Sequence, residues 1–418
     1  MGKTFAEKIL GKKAGKEVVP GEIVEVKPDF AMSHDNTAAI SKTFKQIGID
    51  KIDDPERHVI ILDHCVPAAN EKFAQNHKDI REFVGEQKIA NFFDINRGIC
   101  HQVMAEEGFA LPGHLIVGSD SHTTTYGAYG AFSTGIGRSE MAVIFATGKI
   151  WLRVPETVKI VVKGNLQKGV SAKDVMLKII GDLGADGALY KSVWFTGPTI
   201  DAMSMASRMV LTNMAVEMGA KNGYMEPDDK TLEYLKNRAR RDFEVIRSDA
   251  EANFESEIEF DISNLEPQIA CPHTVDNVHP VSEIKGTKID QVFFGSCTNA
   301  RLEDFEIVVN VLRGKKVHPS TRMIVIPASQ QIFLQAIQLG YIRDLAEAGA
   351  VIVNTGCGPC MGNHEGVPAP EEVVLSTSNR NFRGRFGSKE AEVYLCSPLT
   401  AALSALAGEV VGWEGEEW

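Results

Sequence analysis

His58-Val59-Ile60-Ile61-Leu62-Asp63-His64 is a short, continuous apolar run that closes on two polar residues. A run of this length predicts a strand buried on both faces, as in a parallel sheet. The pattern returns in His114-Leu115-Ile116-Val117-Gly118, which closes on Asp120-Ser121-His122. Helical patterns over 68–83 and 96–107 lie between the two. Strands alternating with helices, with polar residues at the strand C-termini, predict a doubly wound α/β domain whose site lies along that sheet edge.

Upstream, residues 22–26 alternate like a strand and lead through Asp29 to Thr37, a polar stretch containing His34 and Asp35, into a helix over 37–44. Downstream, the glycine-rich run Tyr126–Gly137 precedes an apolar helix over 139–151. Gly135-Ile136-Gly137 is followed by Glu140 where a dinucleotide fingerprint needs its third glycine, so that motif is excluded. Val154-Pro155 marks a boundary, giving a first domain over 1–154. In a second domain, 155–286, a strand over 158–162 and a helix over 170–183 are followed by a helix that places Asn213 and Glu217 four residues apart on one face. The charged stretch 227–261 contains a surface helix over 230–241, and 264–280, with three prolines, reads as an extended connection. A third domain, 287–418, repeats the βαβ pattern with strand 291–294, helix 304–312, strand 323–327, helix 332–348 stopped by Gly349, and strand 351–354.

Three cysteines leave the ends of those last strands: Cys297 in Gly295-Ser296-Cys297-Thr298-Asn299, and Cys357 and Cys360 in Gly356-Cys357-Gly358-Pro359-Cys360. Three thiolates make three corners of a tetrahedral or cubane metal site and leave one metal position open to water or substrate. A Cys-x-x-Cys pair by itself also suits a zinc clip or a redox dithiol. The remaining cysteines, at 65, 100, 271 and 396, read as small packing residues. Seven cysteines in 418 residues, without dense spacing, argue against a secreted disulfide framework. The first 19 residues lack the apolar core of a signal peptide, and no stretch approaches the roughly 20 apolar residues of a membrane span, so a cytoplasmic location is expected. A net charge of −12 disfavours nucleic acid and acidic lipid as partners.

The segments 295–299 and 357–362, followed by Ser378-Asn379-Arg380-Asn381-Phe382-Arg383-Gly384-Arg385, resemble the aconitase superfamily and occur in its order. The resemblance runs from about residue 25 to about residue 405. It implies three aconitase-like α/β domains, doubly wound and βαβ-rich, around a central iron–sulfur cluster cleft. It also implies a [4Fe-4S] cluster on Cys297, Cys357 and Cys360 with the fourth iron open, and a hydro-lyase reaction. The catalytic positions carried over are Asp63, His64, His101, Asp120, Ser121, His122 and Glu217. Substrate binding falls to His34, Asp35, Asn213, Arg380 and Arg385, and the cluster environment to Ser296, Asn299 and Asn379.

Single-chain members of that family continue into a fourth, swivelling domain that carries the proton-abstracting serine, whereas this sequence stops at Trp418. The resemblance is therefore to the large subunits of the two-protein branch. It implies a separate small subunit that supplies the catalytic base and much of the substrate specificity, and an inactive isolated chain. The expected substrates are 2-isopropylmalate and 3-isopropylmalate, isomerised through an alkene in leucine biosynthesis, with the homocitrate and citramalate series as alternatives. Two other classes fit less well. A messenger-RNA-binding relative without a cluster conflicts with the net charge, and a zinc-stapled structural protein leaves the ordered His, Asp and Arg set unexplained.

Overall fold

The computed structural model describes residues 2–415, and three sheets of four or more strands, with a small two-stranded one, organise them. The first domain contains β1 (Ile23–Val26), β2 (Phe30–Ser33), β3 (His58–Ile61), β4 (Asn91–Phe93), β5 (Leu115–Gly118), β6 (Phe132–Gly135) and β7 (Ile150–Arg153). Five of these form a parallel sheet in the order β4-β3-β2-β5-β6, while β1 and β7 pair antiparallel beside it. Residues 58–61 are buried throughout because helices cover both faces of the sheet, each face with its own apolar cluster. The strand order reverses between β2 and β5, which opens a crevice at their C-terminal ends. His34-Asp35, Asp63-His64 and Asp120-Ser121-His122 all emerge there.

The structure departs from sequence expectation at both ends of this domain. A helix over Phe5–Ala14, not expected, starts at a capping box between Thr4 and Glu7 and stacks Phe5 on Tyr224, ring centroids 4.1 Å apart. The helix expected over 139–151 covers only Arg138–Thr147; Gly148, at φ +68°, ends it, and Trp151 lies in β7. The glycine-rich run completes a 3₁₀ segment, Ser121–Tyr129, that starts five residues upstream of it, and then forms β6. At Gly127 a Cβ would lie 1.6 Å from the Gly223 carbonyl oxygen, so close backbone approach is what that glycine provides.

In the second domain β8 (Thr157–Lys163), β9 (Ser192–Thr196), β10 (Asn222–Tyr224) and β11 (Ser256–Asp261) form a parallel sheet in the order β10-β9-β8-β11. The helices Ala172–Leu183 and Met205–Met214 pack on it, and the surface helix expected over 230–241 is only Asp229–Leu235.

The third sheet comprises β12 (Gln268–Ala270), β13 (Val278–Pro280), β14 (Gln291–Phe294), β15 (Arg322–Val325), β16 (Val351–Ile352), β17 (Val373–Ser376) and β18 (Glu392–Leu395), in the order β13-β12-β18-β17-β14-β15-β16. The stretch expected to be a bare connection, 264–280, supplies β12 and β13, which extend this sheet antiparallel from β18. These two strands thus belong to the third sheet although they precede residue 287. The expected helix 332–348 is two helices, Gln330–Gln338 and Tyr341–Ala348, broken where Gly340 takes φ +78°. Here the strand order reverses between β14 and β17, whose ends release Cys297 and Asn379; β16 leads to Cys357 and Cys360.

The two crevices face one another. Backbone N–H groups of Cys357 and Ile99 donate to the carbonyls of Asp63 (2.8 Å) and Ala328 (2.9 Å), and Asn354 Nδ2 donates to the Val66 carbonyl at 2.8 Å. Among the described residues no helix is long and apolar enough to cross a membrane.

Candidate active site

At the first crevice, buried carboxylates and imidazoles form one connected network. Asp63, fully buried, contacts His64 Nδ1 at 2.6 Å and accepts the Cys100 backbone N–H at 2.7 Å. His64 Nε2 lies 3.5 Å from Asp120. Asp120 in turn meets His101 Nε2 at 2.8 Å and the His122 backbone N–H at 2.8 Å, and His101 Nδ1 meets the Tyr126 hydroxyl at 2.9 Å. From His122 the network runs to Glu217 (2.7 Å) and on to Arg380 Nε (2.8 and 3.0 Å).

Charge distribution follows from these contacts. Burial opposes a charged His64, but Asp63 and Asp120 on its two sides overcome that cost and hold its pKa well above the ordinary histidine value. Asp120 is held well below the carboxylate range, against burial, by hydrogen bonds from His101, His122 and His64. His122 is raised by Asp120 and Glu217 despite its burial and Arg380, and Glu217 is lowered by His122 and Arg380 despite its own burial. His34 stacks on His64 with ring centroids 3.9 Å apart; burial, and then the His64 charge, pull its pKa down to about 4. Its Nδ1 has no partner, which leaves a neutral imidazole nitrogen at the crevice.

Two of the expected substrate-binding residues have partners within the chain. Asp35 accepts the backbone N–H groups of Asp63, His64 and Cys65 and meets His77 Nε2, so its carboxylate organises the Asp63-His64 loop. Asn213, expected at the substrate, donates to Cys297 Sγ at 3.2 Å and to Thr125 Oγ1 at 2.9 Å. Its Oδ1 accepts from Asn379, which also donates to Cys297 Sγ at 3.2 Å. Ser296, at φ +79°, bonds to Thr298, and Asn299 donates to Asp304; both shape the cysteine loop. Ser121 sits at the rim, 3.5 Å from His122 Nδ1.

Cys297, Cys357 and Cys360 are each at least nine-tenths buried. Burial pushes the Cys297 thiol up to about 12, while within the hydrogen-bonded Cys357–Cys360 pair Cys360 takes the thiolate character, favoured by Cys357 and then by Arg385, whose Nη2 is 3.8 Å from its sulfur. This donor set fits an iron–sulfur cluster. Amide and guanidinium donors already point at the sulfurs, as bound thiolates require. Among the described residues, ligand atoms all within 4.8 Å of one another occur in the group His34, Asp35, Asp63 and His64, and the three sulfurs do not form such a group. Sulfurs sharing one zinc at about 2.3 Å each would stand roughly 3.8 Å apart.

Several residues here were not legible in the sequence. Tyr126, which opens the glycine-rich run, and Thr125 just before it lie in the 3₁₀ segment and carry no chemical signal of their own in the sequence. Lys173 and Arg301 hold backbone carbonyls, which no side-chain spacing signals.

Fold and site together define an α/β protein whose cleft sets a carboxylate-flanked imidazole near three buried thiols. The chain matches the aconitase family (aconitate hydratase) over residues 7–288 and 281–408, and it belongs to that family. It is 53% identical over 412 residues to the probable 3-isopropylmalate dehydratase large subunit of Methanothermobacter thermautotrophicus, covering 98% of each chain. It is 51% identical to the probable methanogen homoaconitase large subunit of the same organism, covering 97% of this chain and 96% of that one. The crystal structure of holo aconitase X from Thermococcus kodakaraensis shares the fold, with a TM-score of 0.51 and 14% identity over 90% of this chain and 88% of that one.

Proposed function

We propose that the chain is the large subunit of 3-isopropylmalate dehydratase, a hydro-lyase that interconverts 2-isopropylmalate and 3-isopropylmalate by removing and re-adding water. The observation that carries the reading is His64, held protonated between Asp63 and Asp120 at the meeting of the two crevices. With Nδ1–H fixed on Asp63, the transferable proton sits on Nε2, where it reaches a departing hydroxyl; on re-addition the same nitrogen takes a proton from water. Arg385, its Nε buried without a partner, offers its planar fork to a substrate carboxylate, while Arg380 is fixed by Glu217.

Cys297, Cys357 and Cys360 would hold a [4Fe-4S] cluster with one open iron, which supplies Lewis acidity toward substrate oxygens when bound. Asn213 and Asn379 would donate to its Cys297 thiolate. The base that removes the C–H proton comes in this reading from a separate small subunit. Support for the substrate comes from relatives at about half identity that carry this name. The nearly equal identity to homoaconitase large subunits favours the homocitrate series as the second reading.

The test is the anaerobically reconstituted large and small subunits, assayed on isopropylmalate, homoaconitate and citramalate. Fastest turnover of isopropylmalate is expected. Preference for homoaconitate would transfer the assignment to the second reading, and turnover of none would overturn the hydro-lyase reading.

A further inference from the structure

Two buried cations beside the Cys297 loop lack the direct ion pair that buried cations ordinarily have. Lys173, 1% exposed on the helix Ala172–Leu183, donates from Nζ to the carbonyls of Thr377 (2.9 Å) and Ser378. Arg301, 5% exposed, donates to the carbonyls of Cys297 (2.7 Å) and Thr298 (2.6 Å) and to Gln102 Oε1 (2.9 Å). Neither is ion-paired with a carboxylate among the described residues. The acids nearest in sequence make no ion pair with them: Asp174 accepts from Ser171 and the Gln268 backbone, and Asp304 caps the Arg301 backbone N–H, although it lies close enough that, against the rise burial imposes, Arg301 pulls its pKa down. Burial lowers the Lys173 pKa to about 8 despite Asp174 and Asp304. Arg208, equally buried, shows the usual solution, a two-pronged pair with Asp228.

An uncompensated buried charge is costly, and one removed from water is retained where an opposite charge arrives. Both cations clamp the loops that leave the β14–β17 crossover, one carrying Cys297 and the other Asn379, whose amide faces that sulfur. An iron–sulfur core bound by three thiolates carries net negative charge, and its stability and potential depend on nearby charge. We propose that Lys173 and Arg301 are the fixed counter-charges of the bound cluster, positioning residues that hold its two loops and offset its charge. The inference rests on the cluster reading of the three cysteines. A purely mechanical tether to carbonyl oxygens would need donors but no charge.

The full chain, loaded anaerobically with iron and sulfide, is compared with Lys173→Gln and Arg301→Gln, which keep a donor and remove the charge. Folding of each is checked by circular dichroism. Each folded variant is expected to lose iron to a chelator with a half-life shortened about tenfold, and to show a more negative cluster reduction potential. The charge-keeping Lys173→Arg and Arg301→Lys should stay within about twofold of the parent chain, below the range usual for losing a ligand-supporting contact. Parental half-lives and potential in the glutamine variants would reduce both residues to tethers and overturn the proposal. If neither glutamine variant folds, the charge-keeping pair decides: retained iron and potential uphold it, and rapid loss overturns it. A parent chain that takes up no iron and sulfide would instead overturn the cluster reading itself.

Discussion

His64 shows how two neighbours decide a residue's chemistry. Flanked by Asp63 and Asp120, it has a pKa raised well above the ordinary histidine value by those carboxylates, against the pull of burial. Activity that needs this proton is present below the raised pKa and lost as pH rises through it. We therefore expect Asp120→Asn, which removes one carboxylate, to move the alkaline limb of the kcat/KM profile of the reconstituted enzyme to lower pH. His64→Gln should lower kcat by about 10²–10⁴-fold, the usual contribution of a positioned general acid, with little change in KM. Arg385→Lys keeps the charge and loses the planar fork; a KM raised by about tenfold or more, measured in the same assay, is expected.

At the scale of single elements, β3 carries a cost that appears only in acid. His58 lies on that strand, 2% exposed, edge-on to Phe145 at 4.6 Å, with Nδ1 unpartnered. Burial pulls its pKa down to about 4. Below about pH 6.5 the unfolded chain takes up the proton and the folded chain does not, so stability falls as pH drops from about 6.5 to about 4. For this one group the loss amounts to up to about 3 kcal/mol. His58→Leu should flatten that part of the stability–pH curve, measured by denaturant unfolding. Glycines give a second contrast. Gly85, inside the helix Glu71–Gln87 with open space around it, should accept alanine with a gain of about 0.4–1 kcal/mol. Gly127→Ala, which would drive a methyl group into the Gly223 carbonyl, should destabilise the chain by several-fold more than that. The polar pairs that close β3 and β5 were legible because a buried strand spells a continuous apolar run. β12 and β13 were not, since three-residue strands among prolines leave no period to read, and the break at Gly340 hides inside helical periodicity.

For the whole molecule, sequence indicated which loops carry the chemistry but not how they meet. That Asn213 donates to Cys297 was not readable from spacing, since the contact is fixed by the packing of the helix Met205–Met214 against the 3₁₀ segment. The three thiols lie on two separate loops of one sheet, so a bound cluster should cross-link those loops. A ligand bound only by the folded state stabilises it. The iron- and sulfide-loaded chain is therefore expected to unfold at a higher temperature than the chelated chain in paired anaerobic melts, and Cys297→Ser should abolish the difference. The crossover order of the third sheet also imposes a schedule on the cell. A chain leaves the ribosome N-terminus first, and β14, which releases Cys297, lies between β15 and β17. Cys297 thus emerges before the strands that will flank β14 and before Asn379 and Arg385 exist. Until translation has passed these residues the thiols lack that enclosure, so a cluster on them would have to be delivered to the finished polypeptide, and ribosome-bound fragments ending before β17 would expose their cysteines to whatever oxidant or stray metal is at hand.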